Sequence, residues 1–129
     1  MPVFDPEHNT PALTARLASQ SDGLVIVCYC AAWCDTCNQY RPGFGELAER
    51  WQQHTFVWVD IEALPELLDD DDVENFPTLL IQNQSGNVFF GPLLPHINHL
   101  ERLVERYDQN TPLIAEGPRR LETLLQSGA

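Results

Sequence analysis

A chain of 129 residues, with 43% hydrophobic and 20% charged residues, is long enough to bury one core and has the composition of a single globular domain. The formal net charge is −12, with nineteen acidic residues against seven arginines, which argues against nucleic acid or an anionic membrane as a partner. The sequence contains no lysine, which excludes a P-loop phosphate site and a Schiff-base mechanism.

The amino terminus and the longest apolar segment predict where the protein resides. The opening residues, MPVFDPEHNTPAL, lack the basic segment followed by an apolar core that marks a secretory signal. The longest apolar stretch, residues 24–33, is about half as long as a membrane-spanning helix needs to be. We therefore expect a cytoplasmic protein without membrane contact. In that reducing compartment, cysteines at short spacing are more often catalytic or metal-binding than structural disulfides.

The chain begins with a predicted helix followed by a buried strand. A Thr-Pro start signal at Thr10, with Leu13 and Leu17 about one helical turn apart, predicts a short helix over residues 10–20. The sequence LVIVCYC, residues 24–30, is a continuous apolar run that is too short for a typical core helix. Such a run is typical of a parallel strand that is covered on both faces, so we predict a central strand here.

A longer helix and a second strand follow. Apolar residues recur at three- and four-residue steps across residues 33–53, which predicts an amphipathic helix. The sequence TFVWVDI, residues 55–61, is rich in β-branched and aromatic residues and predicts a strand. The sequence EALPELLDDDD, residues 62–72, predicts a short acidic helix that ends in a solvated run of aspartates, Asp69 to Asp72.

The second half of the chain predicts a β-hairpin and two helices. Residues 77–91 indicate two strands joined by a Ser-Gly-Asn turn. An amphipathic pattern predicts a helix over residues 94–107, and residues 118–126 predict a last helix after a linker that contains Pro and Gly. We therefore divide the chain into a domain over residues 1–110 and a C-terminal linker and helical extension over residues 111–129.

All four cysteines lie within ten residues of one another. Cys28 and Cys30 are spaced C-x-C inside the predicted central strand, and Cys34 and Cys37 are spaced C-x-x-C where that strand ends and a helix begins. The N–H groups and the positive dipole end of a helix amino terminus stabilise a thiolate, which is the reactive form of cysteine. Two sulfurs about one helical turn apart can close a small disulfide and reopen it. This spacing predicts a redox pair.

The residues around this pair resemble the thioredoxin family. The resemblance rests on the string Trp33-Cys34-Asp35-Thr36-Cys37, on Pro42 eight residues after the first cysteine, on Phe76-Pro77-Thr78 before the hairpin and on Gly91 after it. It covers residues from about 24 to 107. It implies a thioredoxin-like α/β fold, in which a central mixed β-sheet is flanked by helices on both faces, here with an extra C-terminal helix.

The resemblance also implies that the chain is a thiol–disulfide oxidoreductase that reduces protein disulfides. It further implies roles for individual residues. Cys34 attacks a target disulfide, Cys37 resolves the mixed disulfide, and Pro77 is a cis-proline that faces the pair. The substrates are proteins with disulfides or thiols, no cofactor is needed, and the electrons come from a reductase or a small thiol. The residues expected to contact substrate are Trp33, Asp35, Thr36, Phe76, Gly91 and Pro92.

The sequence departs from the family in two places, and these departures keep a second function open. Family members typically carry Gly-Pro between the two cysteines, where this chain has Asp35-Thr36. The family's buried aspartate, six residues before the first cysteine, is replaced by Cys28, and its lysine companion on the next strand aligns with Trp58. A chain with an altered proton network can retain the fold as a non-catalytic binding or assembly module.

The pair Cys28 and Cys30 has three interpretations. Residues two apart on a strand share a face, and the resemblance implies that this face runs beneath the active-site helix, so both cysteines can be small buried hydrophobes there. A second interpretation is a thiol relay, in which Cys28 assists or traps Cys37. The third is a metal-binding redox sensor, since four cysteine sulfurs could offer a tetrahedral set for zinc or an iron–sulfur cluster.

Overall fold

The protein is represented by a computed structural model that describes residues 3–20, 23–68, 73, 76–93 and 96–127, without the side chains of residues 126 and 127. The predicted aspartate run, residues 69–72, lies outside these residues. Within the described part, the helices and strands in chain order are β1 (Val3–Phe4), α1 (Pro6–Ser19), β2 (Val25–Cys30), α2 (Asp35–Arg50), β3 (Thr55–Asp60), a 3₁₀ helix (Pro65–Leu68), β4 (Thr78–Gln82), β5 (Asn87–Pro92), α3 (Ile97–Arg106) and α4 (Leu121–Ser127).

The strands form one mixed sheet with β2 at its centre. In the described residues the sheet has five strands in the order β1-β3-β2-β4-β5. Strands β1, β3 and β2 run parallel to one another, whereas β4 is antiparallel to both β2 and β5. The central position predicted for LVIVCYC is confirmed. Strand β1 was not predicted from the sequence, because two residues are too few to show a hydrophobic period.

Alternation along β2 divides the core into two layers. Ile26, Cys28 and Cys30 belong to a buried cluster with residues of α2 and α3. Val27 and Tyr29 belong to a second cluster, on the other face, with residues of α1, the 3₁₀ helix and α4. Both faces of the sheet are therefore covered, as predicted from the continuous apolar run. The alternation also directs two of the four cysteines toward α2.

The first helix begins earlier than predicted. Asp5 is its N-cap, and the Asp5 carboxylate accepts a hydrogen bond of 3.0 Å from the backbone N–H of Glu7. Pro6 occupies the first helical position. Proline is favoured there because the backbone N–H of that position has no partner within a helix, so its absence breaks no helical hydrogen bond. Asn9 has non-helical backbone angles and marks a kink. The predicted start at Thr10 is wrong, since a second start signal precedes it.

The other boundaries move by a few residues. The helix predicted over 33–53 is confirmed as α2, which begins after the extended residue Cys34 and ends before Trp51. The helix predicted over 94–107 is confirmed as α3, and residues 94 and 95 lie outside the described part. The acidic helix predicted over 62–72 is the short 3₁₀ helix. None of the described helices has the length and apolar character required to cross a membrane.

The C-terminal extension lies against the sheet. The side-chain amide of Gln82 donates to the carbonyl of Arg119 at 3.1 Å, and its oxygen accepts from the N–H of Leu121 at 3.1 Å. The amide of Asn87 on β5 donates to the carbonyls of Glu116 and Pro118, at 3.1 and 2.7 Å. These bonds hold the segment before α4 along β4 and β5, and α4 then packs next to α1.

Candidate active site

A short turn between β2 and α2 positions the C-x-x-C segment. After β2 ends, the N–H of Cys34 donates to the carbonyl of Ala31 at 3.0 Å, and the side-chain amide of Asn38 donates to the carbonyl of Ala32 at 3.3 Å. Cys34 is the N-cap of α2, and its side chain makes no capping hydrogen bond. The half-buried Cys34 therefore lies at the amino end of α2.

The disulfide in this structure joins Cys30 to Cys37, with a Cα–Cα separation of 5.8 Å. Both residues are 1% exposed, whereas Cys34 is a free thiol. The interpretation of Cys30 as a buried thiol is wrong for this disulfide-bonded form of the protein. Cys37, which was predicted to pair with Cys34, is bonded to Cys30 on the sheet instead. The reason is geometric: Cys30 ends β2 on the face that α2 covers. The helical period indicates that Cys37 faces the core, since it precedes Tyr40 and Phe44 on the buried stripe of α2, but it does not indicate which sulfur Cys37 meets there.

Cys28 is a buried thiol below the disulfide. Its sulfur lies 3.7 Å from the sulfur of Cys30, and Cys28 is the donor because Cys30 is bonded and carries no hydrogen. Burial raises the pKa of the Cys28 thiol, and the charge of Arg41 opposes this shift more weakly. Cys28 therefore stays protonated at neutral pH. Its environment fits the interpretation as a small buried hydrophobe with a weak donor.

The two positions at which the chain lacks the family's buried ionisable groups are neighbours. Cys28 on β2 pairs directly with Trp58 on β3. The guanidinium carbon of Arg41, on α2, lies 5.1 Å from the centre of the Trp58 ring. Such a distance permits a cation–π interaction. Arg41 therefore brings a positive charge near Cys28, and sequence reasoning did not identify it because its contact depends on the crossing of α2 over the sheet.

An aromatic pair borders the half-buried Cys34. Trp33 is 67% exposed, and its ring meets the ring of Phe76 edge-on, with 5.7 Å between centroids. Phe76 and Cys34 both pack against the core cluster that contains the disulfide. Two further residues predicted to contact substrate lie on the first turn of α2, Asp35 being exposed and Thr36 half-buried. The structure brings these sequence-predicted residues to one end of α2.

The loop before β4 carries the remaining predicted residues. The peptide bond preceding Pro77 is cis, the isomer that the resemblance implies. The carbonyl of Pro77 accepts a hydrogen bond of 3.2 Å from the N–H of Leu93, and Thr78 pairs with Pro92 across β4 and β5. Gly91 precedes Pro92 on the same strand. Pro77, Gly91 and Pro92 are therefore adjacent at one end of the hairpin.

The described side chains do not form a metal site. Among them, no group of three or more histidine, cysteine, aspartate or glutamate residues is arranged to hold a metal ion. His96 and His99 lie together at the start of α3, with 6.0 Å between ring centroids. Cys30 and Cys37 share a disulfide, so neither sulfur is a thiolate ligand in this state. The metal interpretation gains no support from these positions.

Tyr40 contributes an ionisable group to the core beneath the site. It is 3% exposed, and its hydroxyl has no hydrogen-bond partner within the described part of the chain. Burial raises the pKa of the Tyr40 hydroxyl, and the nearby Cys28 adds to this shift. The neutral phenol is therefore the form that the folded state favours.

Tyr40→Phe is expected to raise the free energy of unfolding by about 1 kcal/mol at pH 7, because it removes a buried hydroxyl without a partner. Since the folded-state pKa lies above the unfolded value of about 10, wild-type stability should fall above pH 10. The advantage of the variant should then grow by about 1.4 kcal/mol per pH unit. Urea unfolding at pH 7, 10 and 11 measures both effects.

Tyr29→Phe is the matched control, because the Tyr29 hydroxyl donates to the carbonyl of Leu67 at 2.9 Å. Losing that hydrogen bond should lower the free energy of unfolding by about 1 kcal/mol at pH 7, which is the opposite sign. If both tyrosine variants are destabilised to the same extent, the Tyr40 hydroxyl makes a favourable contact and is not an unpartnered buried group.

Comparison with known proteins places the chain in a family. A thioredoxin H-type from rice, Oryza sativa subsp. indica, is 32% identical to this chain over 75 residues. The match covers 57% of this chain and 62% of that protein, so the chain spans about three fifths of this relative. Thioredoxin NaTrxh from Nicotiana alata superposes with a TM-score of 0.68 at 20% identity, over 82% of this chain and 92% of that one. A structure titled as a complex of ferredoxin:thioredoxin reductase and thioredoxin f2 gives a TM-score of 0.62 at 19% identity, over 81% and 93% of the two chains.

These superpositions confirm the predicted thioredoxin-like fold with its mixed sheet between helices, and α4 is the predicted C-terminal helix. The family model described as Thioredoxin matches residues 7–91, which include both the C-x-x-C segment and the cis-proline loop. This match spans more than half of the 129 residues. The chain therefore belongs to the thioredoxin family.

Proposed function

We propose that this chain is a thiol–disulfide oxidoreductase that reduces protein disulfides, with Cys34 as the nucleophile and Cys37 as the resolving thiol. The observation that carries the proposal is the position of Cys34. It is half-buried at the amino terminus of α2, beside the exposed Trp33, and Cys37 lies buried one turn further along the same helix. An accessible sulfur with a second sulfur behind it suits a two-step exchange.

The reaction starts from the reduced protein. The Cys34 thiolate attacks one sulfur of a substrate disulfide, forming a mixed disulfide and releasing the other substrate sulfur as a thiolate that takes up a proton. Cys37 then loses its proton and attacks Cys34, so that the second substrate sulfur leaves and a protein disulfide forms. The substrate is reduced by two electrons and the protein is oxidised by two. A donor must return those electrons before the next turnover.

Substrate polypeptide is proposed to lie on the apolar surface beside Cys34. Trp33 and Phe76 supply aromatic area there, since their rings touch and Trp33 is mostly exposed. Next to Phe76, Pro77 offers no backbone N–H, which leaves the neighbouring backbone able to pair with an extended peptide. The further residues in this proposed surface are Asp35, Thr36, Gly91 and Pro92.

The electron donor and the location are part of the same proposal. A reductase or a small thiol is proposed to reduce the protein, and the existence of a thioredoxin f2 complex with ferredoxin:thioredoxin reductase supports a reductase as the class of partner. A net charge of −12 supports the absence of nucleic-acid and anionic-membrane partners. A reducing compartment such as the cytoplasm is proposed, because the cycle requires that the oxidised protein be reduced again.

A binding or assembly module is the second candidate. The observation that favours it is that Cys37 is already bonded to Cys30, while Cys28 stands where the family's buried acid would assist Cys37. In such a module the aromatic surface would bind a partner without turnover. The two candidates predict opposite outcomes in one assay.

Insulin reduction with dithiothreitol as the electron donor decides between them. An oxidoreductase should precipitate the insulin B chain well before dithiothreitol alone does. The control is the same protein reduced, alkylated with iodoacetamide and desalted, which should match dithiothreitol alone. If the untreated protein also matches dithiothreitol alone, the enzymatic proposal is wrong and the binding module is favoured.

A further inference from the structure

We propose that Cys30 is a third redox-active thiol, and that the protein disulfide moves between the pairs Cys34–Cys37 and Cys30–Cys37 by internal exchange. The inference rests on the proposed function, because substrate reduction supplies the disulfide at Cys34–Cys37. It goes beyond that function by giving the oxidised protein two forms. In one form Cys34 is bonded, and in the other Cys34 is a free thiol.

The position of Cys37 between two potential partners supports the exchange. On the sheet side, the Cα atoms of Cys30 and Cys37 are 5.8 Å apart, within the usual range for a disulfide. On the solvent side, Cys34 is the N-cap of α2 and Cys37 is its third helical residue, so the two are one turn apart. Cys34 also packs against the buried cluster that contains Cys30 and Cys37. One sulfur can therefore bond to either neighbour.

The exchange needs no external oxidant or reductant. Starting from the bond between Cys34 and Cys37, Cys30 loses its proton and attacks the Cys37 sulfur. The bond between Cys30 and Cys37 forms, the bond between Cys34 and Cys37 breaks, and Cys34 leaves as a thiolate that can take up a proton. The reverse reaction begins with attack by Cys34 on Cys37. Both isomers contain one disulfide, so no net oxidation occurs.

Burial and accessibility give the two isomers different reactivity. In the isomer of this structure, both bonded residues are 1% exposed, so an external thiol has little access to the disulfide. Cys34 is half-buried and free, so it can still attack a substrate disulfide. Cys37 is then unable to resolve the product, because it is bonded to Cys30. In this form the protein acts through one thiol and retains its substrate as a mixed disulfide.

A three-step labelling experiment on the oxidised full-length protein tests the exchange. The protein is oxidised with one equivalent of diamide, desalted, and alkylated with iodoacetamide under native conditions at pH 8. It is then denatured in the presence of N-ethylmaleimide, reduced, and treated with deuterated N-ethylmaleimide. Tandem mass spectrometry assigns each label to a residue. The readout reports pairing and does not depend on catalytic turnover.

In the wild type, iodoacetamide should label Cys34 until almost all of it is modified, because alkylation removes Cys34 from the exchange. Cys28 should receive the second label, and Cys30 and Cys37 the third. The proposal is overturned if Cys34 stays protected and Cys30 receives the second label. It is also overturned if labelling stops at a fraction and the rest of the protein retains the Cys34–Cys37 bond, because the isomers then do not interconvert.

Variants of the two strand cysteines supply the matched comparison. Cys30→Ala removes the inner partner, so labelling of Cys34 in the oxidised protein should fall at least tenfold, whereas Cys28→Ala should behave as the wild type. Cys30→Ser serves if the alanine variant does not fold. Equal labelling of Cys34 in the Cys30 and Cys28 variants would falsify the proposal. If the wild type shows the expected label pattern but does not reduce insulin, the proposed function is contradicted and the exchange is not.

Discussion

Replacing Cys34 with serine is expected to lower the rate of insulin reduction to that of dithiothreitol alone, a loss of roughly 10³-fold or more in the protein's contribution. A serine hydroxyl is not ionised at neutral pH and forms no disulfide, so the first step is abolished. The neighbouring sulfurs cannot replace it, because Cys28, Cys30 and Cys37 are each no more than 1% exposed. Initial rates of insulin precipitation, corrected for the dithiothreitol background, measure the loss.

Cys28→Ala is the matched control for this variant. It also removes one sulfur from the cluster, but burial raises the pKa of Cys28 and keeps that thiol protonated and inaccessible. The control should retain its rate within about threefold, with a change in stability of about 1 kcal/mol. If Cys34→Ser retains most of its activity, Cys34 is not the nucleophile. If both variants lose activity equally, the loss reflects damage to the cluster as a whole.

The sheet and its central strand could be predicted because their signals are local. A continuous apolar run indicated that β2 is covered on both faces, and the structure confirms this with two separate core clusters. The period of two also indicated that Cys28 and Cys30 share a face, and the cluster beneath α2 contains both. Elements with a clear period and known side-chain directions can thus be assigned from sequence.

The sulfur pairing could not be predicted in the same way. Spacing along the chain favoured Cys34 with Cys37, which are separated by two residues. The bond in the structure joins Cys30 and Cys37, which belong to different layers. Whether their Cα atoms approach to 5.8 Å depends on how α2 crosses the sheet, and no local period encodes that crossing. The contact of Arg41 with Trp58 depends on the same crossing.

Docking of the C-terminal extension could not be predicted from local sequence patterns either. The segment before α4 contains Pro and Gly and therefore resembles a linker. Its partners are side chains distant in sequence, since Gln82 is 3% exposed and bonds to the backbone of Arg119 and Leu121. Gly117 has a φ of +101°, and a Cβ there would lie 3.1 Å from the Cβ of Phe90. The glycine therefore permits close contact with β5 rather than marking a flexible joint.

Leu121→Ala is expected to lower the free energy of unfolding by about 2–5 kcal/mol, a large part of the total for a domain of this size. Leu121 is 1% exposed and lies in the cluster that contains Leu13 of α1 and Leu67 of the 3₁₀ helix. Truncation to alanine leaves a cavity between α1, the 3₁₀ helix and α4, which all pack on this cluster. Urea unfolding followed by tryptophan fluorescence and by circular dichroism measures the change.

Leu113→Ala provides the control, because Leu113 belongs to the same extension but is 50% exposed. Its free energy of unfolding should stay within about 0.5 kcal/mol of wild type. A loss below about 1 kcal/mol for Leu121→Ala would mean that α4 docks weakly, and that residues 1–110 fold as the separate domain predicted from sequence. The larger loss would instead make the extension part of the cooperative unit, because the buried amide of Gln82 also depends on it for hydrogen bonds.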